Sequence, residues 1–480
     1  MTALKCRTKD LEIPEEAPFS YDKMGREQVA TILTDIVTFY SQLGCVMSLN
    51  GAWGTGKTTF TKMWKAQLML QGYKTLYYNA WTSDYLSDPL IALSSELTEL
   101  CNEKGGMDEF ISSVGKVTMA TIGAGAKGVL KKFTGIDSDC IDAAIDETTE
   151  ISKEFLAEYK SQKKAIEDFK KNLEEYVAYN ASDKPIIFFI DELDRCNPNY
   201  AVSVLERVKH LFDVPNIIFV LAINKTQLCN AIQGYFGSTT MDANEYLKRF
   251  IDIEYNLPMN NIDKYCEYLY DEYSFDSFFN NEKRKECIRD NYEASYFKGM
   301  TKIMCKTIPI NLRLLDRIFA YTRLALLQFP FNSYMFSSIY YMLCFWKITN
   351  NKLYDDICNK RLTVIELLKI LENVFRIEIR EQEKEGYAQP RISWVIAETL
   401  VCYDNTSLNG RWDSKKELQG TKTDDSKEIL DFKLPTSIID KDNLNEALTW
   451  YTNHSYDARG AGLGFIFKRI NLLDNFALNR

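Results

Sequence analysis

Residues 51–58 read Gly-Ala-Trp-Gly-Thr-Gly-Lys-Thr, and they directly follow the apolar run at 45–49. This is the GxxxxGK[ST] pattern behind a predicted strand, and it predicts a loop that curls around the phosphates of a nucleotide. Glycines at three loop positions leave room for backbone N–H groups to point at phosphate oxygens. A helix predicted over 60–70 would add the positive end of its dipole. The pattern therefore constrains the chain to a strand, loop and helix that bind a nucleotide with Mg²⁺.

Two loop residues have predicted tasks of their own. Lys57 reaches the β- and γ-phosphates, and the Thr58 hydroxyl ligates Mg²⁺. The alternative is a chance glycine turn, which the positions of the flanking strand and helix disfavour. The nucleotide-binding residues predicted in this loop are Gly51, Ala52, Trp53, Gly54, Thr55, Gly56, Lys57, Thr58 and Thr59.

A second strand, predicted at 186–190, ends in the carboxylates Asp191 and Glu192. Five apolar residues in a row predict a strand buried on both faces, as in parallel sheets. Asp191 is predicted to hold the Mg²⁺ shell, and Glu192 to orient and deprotonate the attacking water. A buried strand ending in a solvated acidic turn is the alternative for this segment alone. The phosphate loop favours the catalytic interpretation.

Composition narrows the function classes. The 480 residues predict two domains, or one domain with large insertions. A net charge of −9 argues against a broadly basic nucleic-acid surface and leaves a local basic patch open. Twelve cysteines without a CxxC pair, with only two histidines, argue against a zinc site. Scattered single cysteines and an N-terminus without an apolar signal core predict a cytoplasmic chain with reduced thiols.

Two segments need to be distinguished from membrane spans, which require roughly 20 nearly uncharged residues. The small, apolar stretch 112–130 contains Lys116 and Lys127. It predicts a flexible or amphipathic insert, with a helix on a membrane surface as the alternative. The aromatic run 334–346 is too short to span and predicts a buried helix.

The chain is predicted to be an α/β protein with a parallel sheet, helices on both faces and a mostly helical C-terminal domain. Predicted strands are at 45–49, 74–78, 186–190, 216–223 and 250–255. The lead-in, 1–44, carries an amphipathic helix with Val29, Ile32, Leu33 and Ile36 on one face. The predicted divisions are an NTPase core at 45–260 with a helical insert at 103–183, a helical domain at 261–400 and an extension at 401–480, of which 403–437 is polar and loop-like.

Four segments together resemble the KAP family of P-loop NTPases, in the additional-strand catalytic-glutamate branch near the STAND ATPases. The likeness covers roughly residues 20–325, and a tryptophan inside the phosphate loop and an Asn-Ala-Trp after strand two are its most specific motifs. Many relatives carry membrane helices in the insert, whereas this chain looks like a soluble prokaryotic member. The four segments are 51–58, Tyr78-Asn79-Ala80-Trp81, Ile190-Asp191-Glu192-Leu193-Asp194-Arg195-Cys196 and Tyr246-Leu247-Lys248-Arg249-Phe250-Ile251.

The resemblance implies roles for further residues. Arg26 falls in the upstream stretch near the base and ribose. Asn224 stands where relatives place a polar sensor of the γ-phosphate, with a strand-end cap as the alternative. Arg249 matches a basic position that could act as a charge-stabilising finger in cis or toward a neighbouring subunit, or could be a solvated surface arginine. Arg313 falls at a second sensor position, although the usual Pro-Arg pairing is broken here.

Three nearby residues are expected to be structural. Arg195 follows the acidic run and is predicted to brace Asp194 in an ion pair. Trp53 and Trp81 are predicted to pack in the core or within loops, and not to stack on a base.

The sequence leaves three functions open for a homo-oligomeric, Mg²⁺-dependent ATPase. The first is a nucleotide-driven switch in bacterial antiphage defence with a separate effector chain encoded nearby, because relatives include phage-exclusion proteins. The second is a membrane-surface or signalling scaffold. The third is a nucleic-acid motor, which the acidic balance disfavours.

Overall fold

The computed structural model describes residues 12–85, 88–100, 106–118, 148–181, 183–288, 292–385, 390–406, 417–422, 429–453 and 463–475. These residues form two compact units, with the division between Met259 and Asn260. The first unit contains the phosphate loop and the acidic strand. The finer predicted division of the chain into four parts stays a prediction.

A five-stranded sheet forms the centre of the first unit. Every neighbouring pair is parallel, in the order β2-β3-β4-β1-β5, so all carboxyl ends lie at one edge. This confirms the predicted α/β class. β4 lies between the strand of the phosphate loop and the acidic strand. The strands are β1 Cys45–Asn50, β2 Thr75–Asn79, β3 Ile186–Asp191, β4 Ile217–Ile223 and β5 Ile253–Asn256.

Helices cover both faces of this sheet. Alternate residues of β3 point to opposite faces, so Ile187 and Phe189 pack against α1 and α2, whereas Phe188 and Ile190 pack against the helices of the other face. The helices of this unit are α1 Glu27–Phe39, α2 Lys57–Leu70, α3 Pro89–Thr98, α4 107–118, α5 Thr148–Ala181, α6 Pro198–Leu211, α7 Lys225–Phe236 and α8 Ala243–Leu247.

The predicted buried face of α1 is wrong at Ile32, which is 50% exposed. Leu33 is buried, and Val29 and Ile36 pack against the core from partly buried positions, while the helix also buries Ala30, Thr34 and Val37. The inward position of Thr34 has a polar partner: the Thr34 hydroxyl accepts a hydrogen bond from the buried Trp64 indole at 2.9 Å. A polar residue therefore faces inward because it has a partner there.

β5 begins three residues later than predicted. Residues 248–250 form a turn after α8, and Phe250 packs into the core beside that turn and not within a strand. The apolar character of 250–251 therefore reflects burial outside the ladder.

The second unit is helical around one large apolar core. The helix predicted over the aromatic run 334–346 is confirmed from residue 337 on, since α14 buries every residue from Ser337 to Trp346, whereas Tyr334 precedes the helix and is 39% exposed. The expectation of a loop over 403–437 is wrong in part, because an antiparallel pair forms there, β6 Thr421–Lys422 and β7 Leu430–Asp431. The helices are α9 Ile262–Glu272, α10 Asp276–Phe279, α11 Glu282–Cys287, α12 Glu293–Thr307, α13 Leu312–Leu326, α14 Ser337–Thr349, α15 Asn351–Cys358, α16 Val364–Val374, α17 Arg376–Glu385, α18 Ile392–Asp404, α19 Lys441–Asn453 and α20 Gly464–Asn471.

No helix in the described part of the chain is both long enough and apolar enough to cross a membrane. Of the small, apolar stretch, residues 112–118 belong to α4, and 119–130 lie outside the described residues.

Candidate nucleotide site

The loop between β1 and α2 has the backbone that its glycines allow. Gly54 and Gly56 have φ values of 79° and 82°, in the left-handed region that favours glycine. A Cβ on Gly51 would lie 2.8 Å from the Thr55 hydroxyl oxygen, so a side chain there would displace the loop. Gly51 N–H donates to the Ile223 carbonyl at 3.1 Å and ties the start of the loop to the end of β4. The loop is therefore a curved stretch of backbone whose start is fixed to the sheet.

Lys57 lies across this loop. Its ammonium donates to the carbonyl oxygens of Gly51 at 2.6 Å and Ala52 at 3.2 Å, and the side chain is mostly buried. Thr58, the next residue, is in the first turn of α2 and is half-buried. A positive charge and a hydroxyl thus stand at the amino end of a 14-residue helix, where anions are favoured.

Asp191 ends β3 at the same edge of the sheet. One strand, β4, separates β3 from β1, which places the two strand ends about 10 Å apart. The Asp191 carboxylate is buried and accepts from the Tyr77 hydroxyl at 2.8 Å and from the Glu192 backbone N–H at 2.8 Å. These donors fix its orientation.

Glu192 follows with a φ of 61°, an uncommon conformation for a residue with a side chain. Its Oε1 pairs with Arg195 Nη1 at 2.6 Å, and its Oε2 accepts from the Asn79 amide at 3.2 Å. The expected ion pair between Arg195 and Asp194 is therefore wrong. Residues 193–195 form a 3₁₀ turn, in which side chains three positions apart align, so Arg195 reaches back over Glu192.

The two tryptophans do not lie in the core. Trp53 is 42% exposed and Trp81 is 51% exposed. The Trp53 indole N–H donates to Asp194, which is a contact between loops as predicted. Trp81 lies under the Arg195 guanidinium, with 5.7 Å from Arg195 Cζ to the ring centroid. A cation–π contact of this kind suits a partly exposed ring.

A sequence model of the KAP family P-loop domain matches residues 26–323, which is more than half of the chain. The chain belongs to the KAP family of P-loop NTPases. Two similar solved structures are both of the Aeropyrum pernix ORC2 protein. Its ADPNP–ADP complexes share 12% identity with a TM-score of 0.33, covering 78% of this chain and 80% of that one. Its ADP form shares 12% identity with a TM-score of 0.32, covering 85% and 84%. No curated protein matched the sequence.

The loop and the oxygen ligands beside it in this KAP chain fit a nucleotide with Mg²⁺. Gly51 has no room for a Cβ, which would lie 2.8 Å from the Thr55 hydroxyl oxygen, and the Lys57 ammonium stands at the loop as a cation that a phosphate could meet. The hydroxyl of Thr58 and the carboxylate of Asp191 are hard oxygen ligands of the kind that Mg²⁺ takes. The remaining loop residues, Ala52, Trp53, Gly54, Thr55, Gly56 and Thr59, stay predicted contacts.

Asn224 caps α7 directly after β4. Its side-chain oxygen accepts from the Gln227 backbone N–H at 3.4 Å, so the cap interpretation is confirmed. The residue also lies between the ends of β1 and β3, at the edge that carries Lys57 and Asp191. The sensor role stays a prediction.

Arg26 reaches the loop from behind. Its Nη1 donates to the Thr55 carbonyl at 3.0 Å, and its Nη2 donates to the Pro258 carbonyl at 2.8 Å, beyond β5. Burial lowers the pKa of Arg26 to about 10, against the opposing charge of Asp22. Arg26 therefore braces the loop, and its role near the base and ribose stays a prediction.

Arg249 is not brought to the loop. It is exposed and lies over the Tyr246 ring, which contacts Phe236 at the far end of α7. It precedes β5, whose first residue pairs with Met47, so the loop begins about 13 Å further along β1.

Arg313 is an exposed residue in the first turn of α13, in the unit that begins at Asn260. Its predicted role as a second sensor is untested by this placement.

Two contacts escaped sequence reasoning. Asn79 and Tyr77 each hold one of the strand-end carboxylates from the end of β2. Asn79 stands inside the Asn-Ala-Trp motif, which was a usable signal without an assigned role. Tyr77 carries no local signal, because only the pairing of β2 with β3 brings it to Asp191.

Proposed function

We propose that this KAP chain hydrolyses ATP in a Mg²⁺-dependent reaction. The observation that supports this most is that Asp191 and Glu192 end a strand at the same sheet edge as the phosphate loop, one strand away. A loop alone would suit binding without turnover. Adjacent carboxylates, one buried and held by two donors and one pointing elsewhere, supply a metal ligand and a separate base.

The roles follow from position. Lys57 and the loop amides bind the phosphates, and Thr58 with Asp191 would hold Mg²⁺, which neutralises charge on the phosphate oxygens when bound. Glu192 aligns water for in-line attack on the γ-phosphate and accepts its proton. Asn224 can donate an amide hydrogen bond to a γ-phosphate oxygen or to the water.

Two variants test hydrolysis. Lys57→Ala removes the motif lysine and should abolish nucleotide binding. Glu192→Gln is nearly isosteric, cannot accept a proton, and should keep binding while losing turnover. ATP affinity and phosphate release are measured for both. A rate of phosphate release in Glu192→Gln equal to that of wild type would contradict the assignment of Glu192 as the base.

We propose that several chains assemble, and the position of Arg249 supports this. Its distance from the loop of its own chain disfavours a cis finger. Its exposure and positive charge suit a contact with the phosphates of a neighbouring chain. A finger contributes on the order of 10³ or more in rate where it operates, so the interpretation is testable against a surface arginine.

We further propose that the ATPase acts as a switch in bacterial antiphage defence, with a separate effector chain. The support is the likeness of its motifs to a family that includes phage-exclusion proteins. The test is phage challenge of cells carrying the wild-type gene and its neighbours, with Lys57→Ala as the inactive control. Equal protection by both would refute a nucleotide-driven role. Flotation of the purified protein with anionic vesicles would instead support the membrane-surface scaffold.

A further inference from the structure

Both oxygens of the Glu192 carboxylate are engaged by neighbouring side chains. We propose that Arg195, anchored on Trp81, is a positioning residue that holds Glu192 in a resting orientation, and that its release limits the rate of hydrolysis. This inference rests on the proposed function of Glu192 as the base.

The contacts around Glu192 are directional. Arg195 Nη1 lies 2.6 Å from Oε1, and the Asn79 amide nitrogen lies 3.2 Å from Oε2. The pair is mostly shielded from water, with side-chain exposures of 28% for Arg195 and 14% for Glu192. Charge-assisted hydrogen bonds are among the stronger ones, and a shielded pair is screened little by salt. The carboxylate therefore stays pinned toward β2 and Arg195 until these donors leave.

The short turn that follows β2 contacts both side chains that donate to Glu192. Asn79 begins the 3₁₀ turn Ala80–Ser83, and its side-chain oxygen accepts from Trp81 N–H at 3.1 Å and from Thr82 N–H at 3.3 Å. Trp81, in that same turn, supports the Arg195 guanidinium. A shift of this short turn would therefore loosen the Asn79 contact directly and the Arg195 contact through the indole ring. Half of the Trp81 side chain faces solvent, so the turn is accessible to a partner.

Arg195→Ala tests the restraint. Basal kcat should rise about tenfold, because a charge-assisted hydrogen bond no longer opposes the working orientation. KM for ATP should stay unchanged, since the contacts of Arg195 among the described residues are with Glu192 and Trp81 and not with the loop. In the Glu192→Gln background the same change should have no effect, because the group it restrains is gone. Arg195→Lys keeps the charge without the planar fork and should give a smaller rise.

The chain offers a matched control. Arg207 pairs with Asp88 at 2.8 Å, with side-chain exposures of 28% and 15%, and contacts neither strand-end carboxylate in the structure. Arg207→Ala therefore removes an ion pair of equal burial. Its kcat should equal that of wild type.

A fluorescence readout separates this inference from the proposed function. Binding of a non-hydrolysable ATP analogue with Mg²⁺ should change tryptophan emission in wild type, and this change should be reduced in Trp81→Phe and in Arg195→Ala. Absence of turnover in both wild type and Arg195→Ala would overturn the proposed function, and the inference that rests on it would fall with it, whereas turnover in wild type leaves the restraint to be judged by itself. A kcat for Arg195→Ala equal to or below that of wild type would overturn the restraint. Should Arg195→Ala fail to fold, Trp81→Leu replaces it, with a raised kcat expected and an unchanged kcat counting against the inference.

Discussion

Glu398 lies in α18, inside the helical unit, with a side chain that is almost wholly buried. Burial raises the pKa of its carboxyl from 4.5 to about 8, and the charge of Glu293 adds to this, whereas a hydrogen bond from Tyr451 opposes it. The group is therefore uncharged in the folded chain at pH values where it would be ionised in the unfolded chain.

The sign of the effect follows from proton binding. Between pH 4.5 and about 8 the folded state binds more protons at this site than the unfolded state, so stability falls as pH rises across that window. At 1.36 kcal/mol per pH unit, the rise from 4.5 to about 8 amounts to about 5 kcal/mol at most. Well below pH 4.5 the Glu398 carboxyl is protonated in both the folded and the unfolded state, so it does not change the free energy of unfolding with pH.

Glu398→Gln removes the titration and can still accept the Tyr451 hydrogen bond. Urea unfolding at pH 5 and pH 8.5 should show that wild type loses stability relative to this variant as pH rises. Tryptophan fluorescence is a suitable probe, because Trp394 lies one turn before Glu398 on α18 and packs against Trp450, with 5.6 Å between the ring centroids and 56° between the ring planes. An identical pH dependence for both proteins would refute the reasoning.

Glu372 in the same unit supplies a control of opposite sign. Burial raises its pKa, but hydrogen bonds from Ser437, Ile438 and Ile439 outweigh burial and lower the pKa overall. Its stabilisation is present above the unfolded pKa and is lost as pH falls through the folded value. Glu372→Gln should therefore destabilise the protein more at pH 8.5 than near pH 4.

Three further outcomes are expected. Asp191→Asn should raise the Mg²⁺ requirement of hydrolysis, and an unchanged Mg²⁺ titration would remove Asp191 from the metal shell. Thr34→Val leaves the buried Trp64 N–H without its acceptor and should lower the free energy of unfolding by about 1–3 kcal/mol. Thr34→Ser keeps the hydroxyl and should lose less in the same denaturant titration. Arg249→Ala should lose turnover and regain part of it when mixed with Glu192→Gln, and full activity of Arg249→Ala alone would remove Arg249 from the site.

The local sequence could predict those parts of the fold where the residue types allow only one backbone conformation. Gly54 and Gly56 occupy left-handed conformations inside the loop, and the apolar runs of β3 and β4 are buried at every position. A parallel sheet with helices on both faces follows from alternating strands and helices.

The contacts that the sequence could not predict depend on the tertiary fold, namely on turn conformation and on which strands pair. Arg195 stands next to Asp194 in the chain, and only a 3₁₀ turn directs it to Glu192 instead. Tyr77 reaches Asp191 because β2 pairs with β3, a register that no nearby residue specifies. Thr34 faces inward on α1 although it is polar, because its partner Trp64 lies 30 residues away in the chain.

The separation of Glu192 from Arg249 within one chain makes the mixed Arg249 experiment quantitative. Glu192 follows the carboxyl end of β3, whereas Arg249 precedes the amino end of β5, so the two lie at opposite ends of one sheet. Suppose that an active site takes Glu192 from one chain and Arg249 from its neighbour, so that each junction between two chains holds one site. In a mixture of the two variants, a junction is active only where an Arg249→Ala chain supplies Glu192 and a Glu192→Gln chain supplies Arg249. With equal amounts and free exchange, about a quarter of junctions meet that condition, in a two-fold pair and in a head-to-tail ring alike. Turnover near a quarter of the wild-type value would therefore support the shared site, whereas no rescue after subunit exchange would place the effect of Arg249 within its own chain.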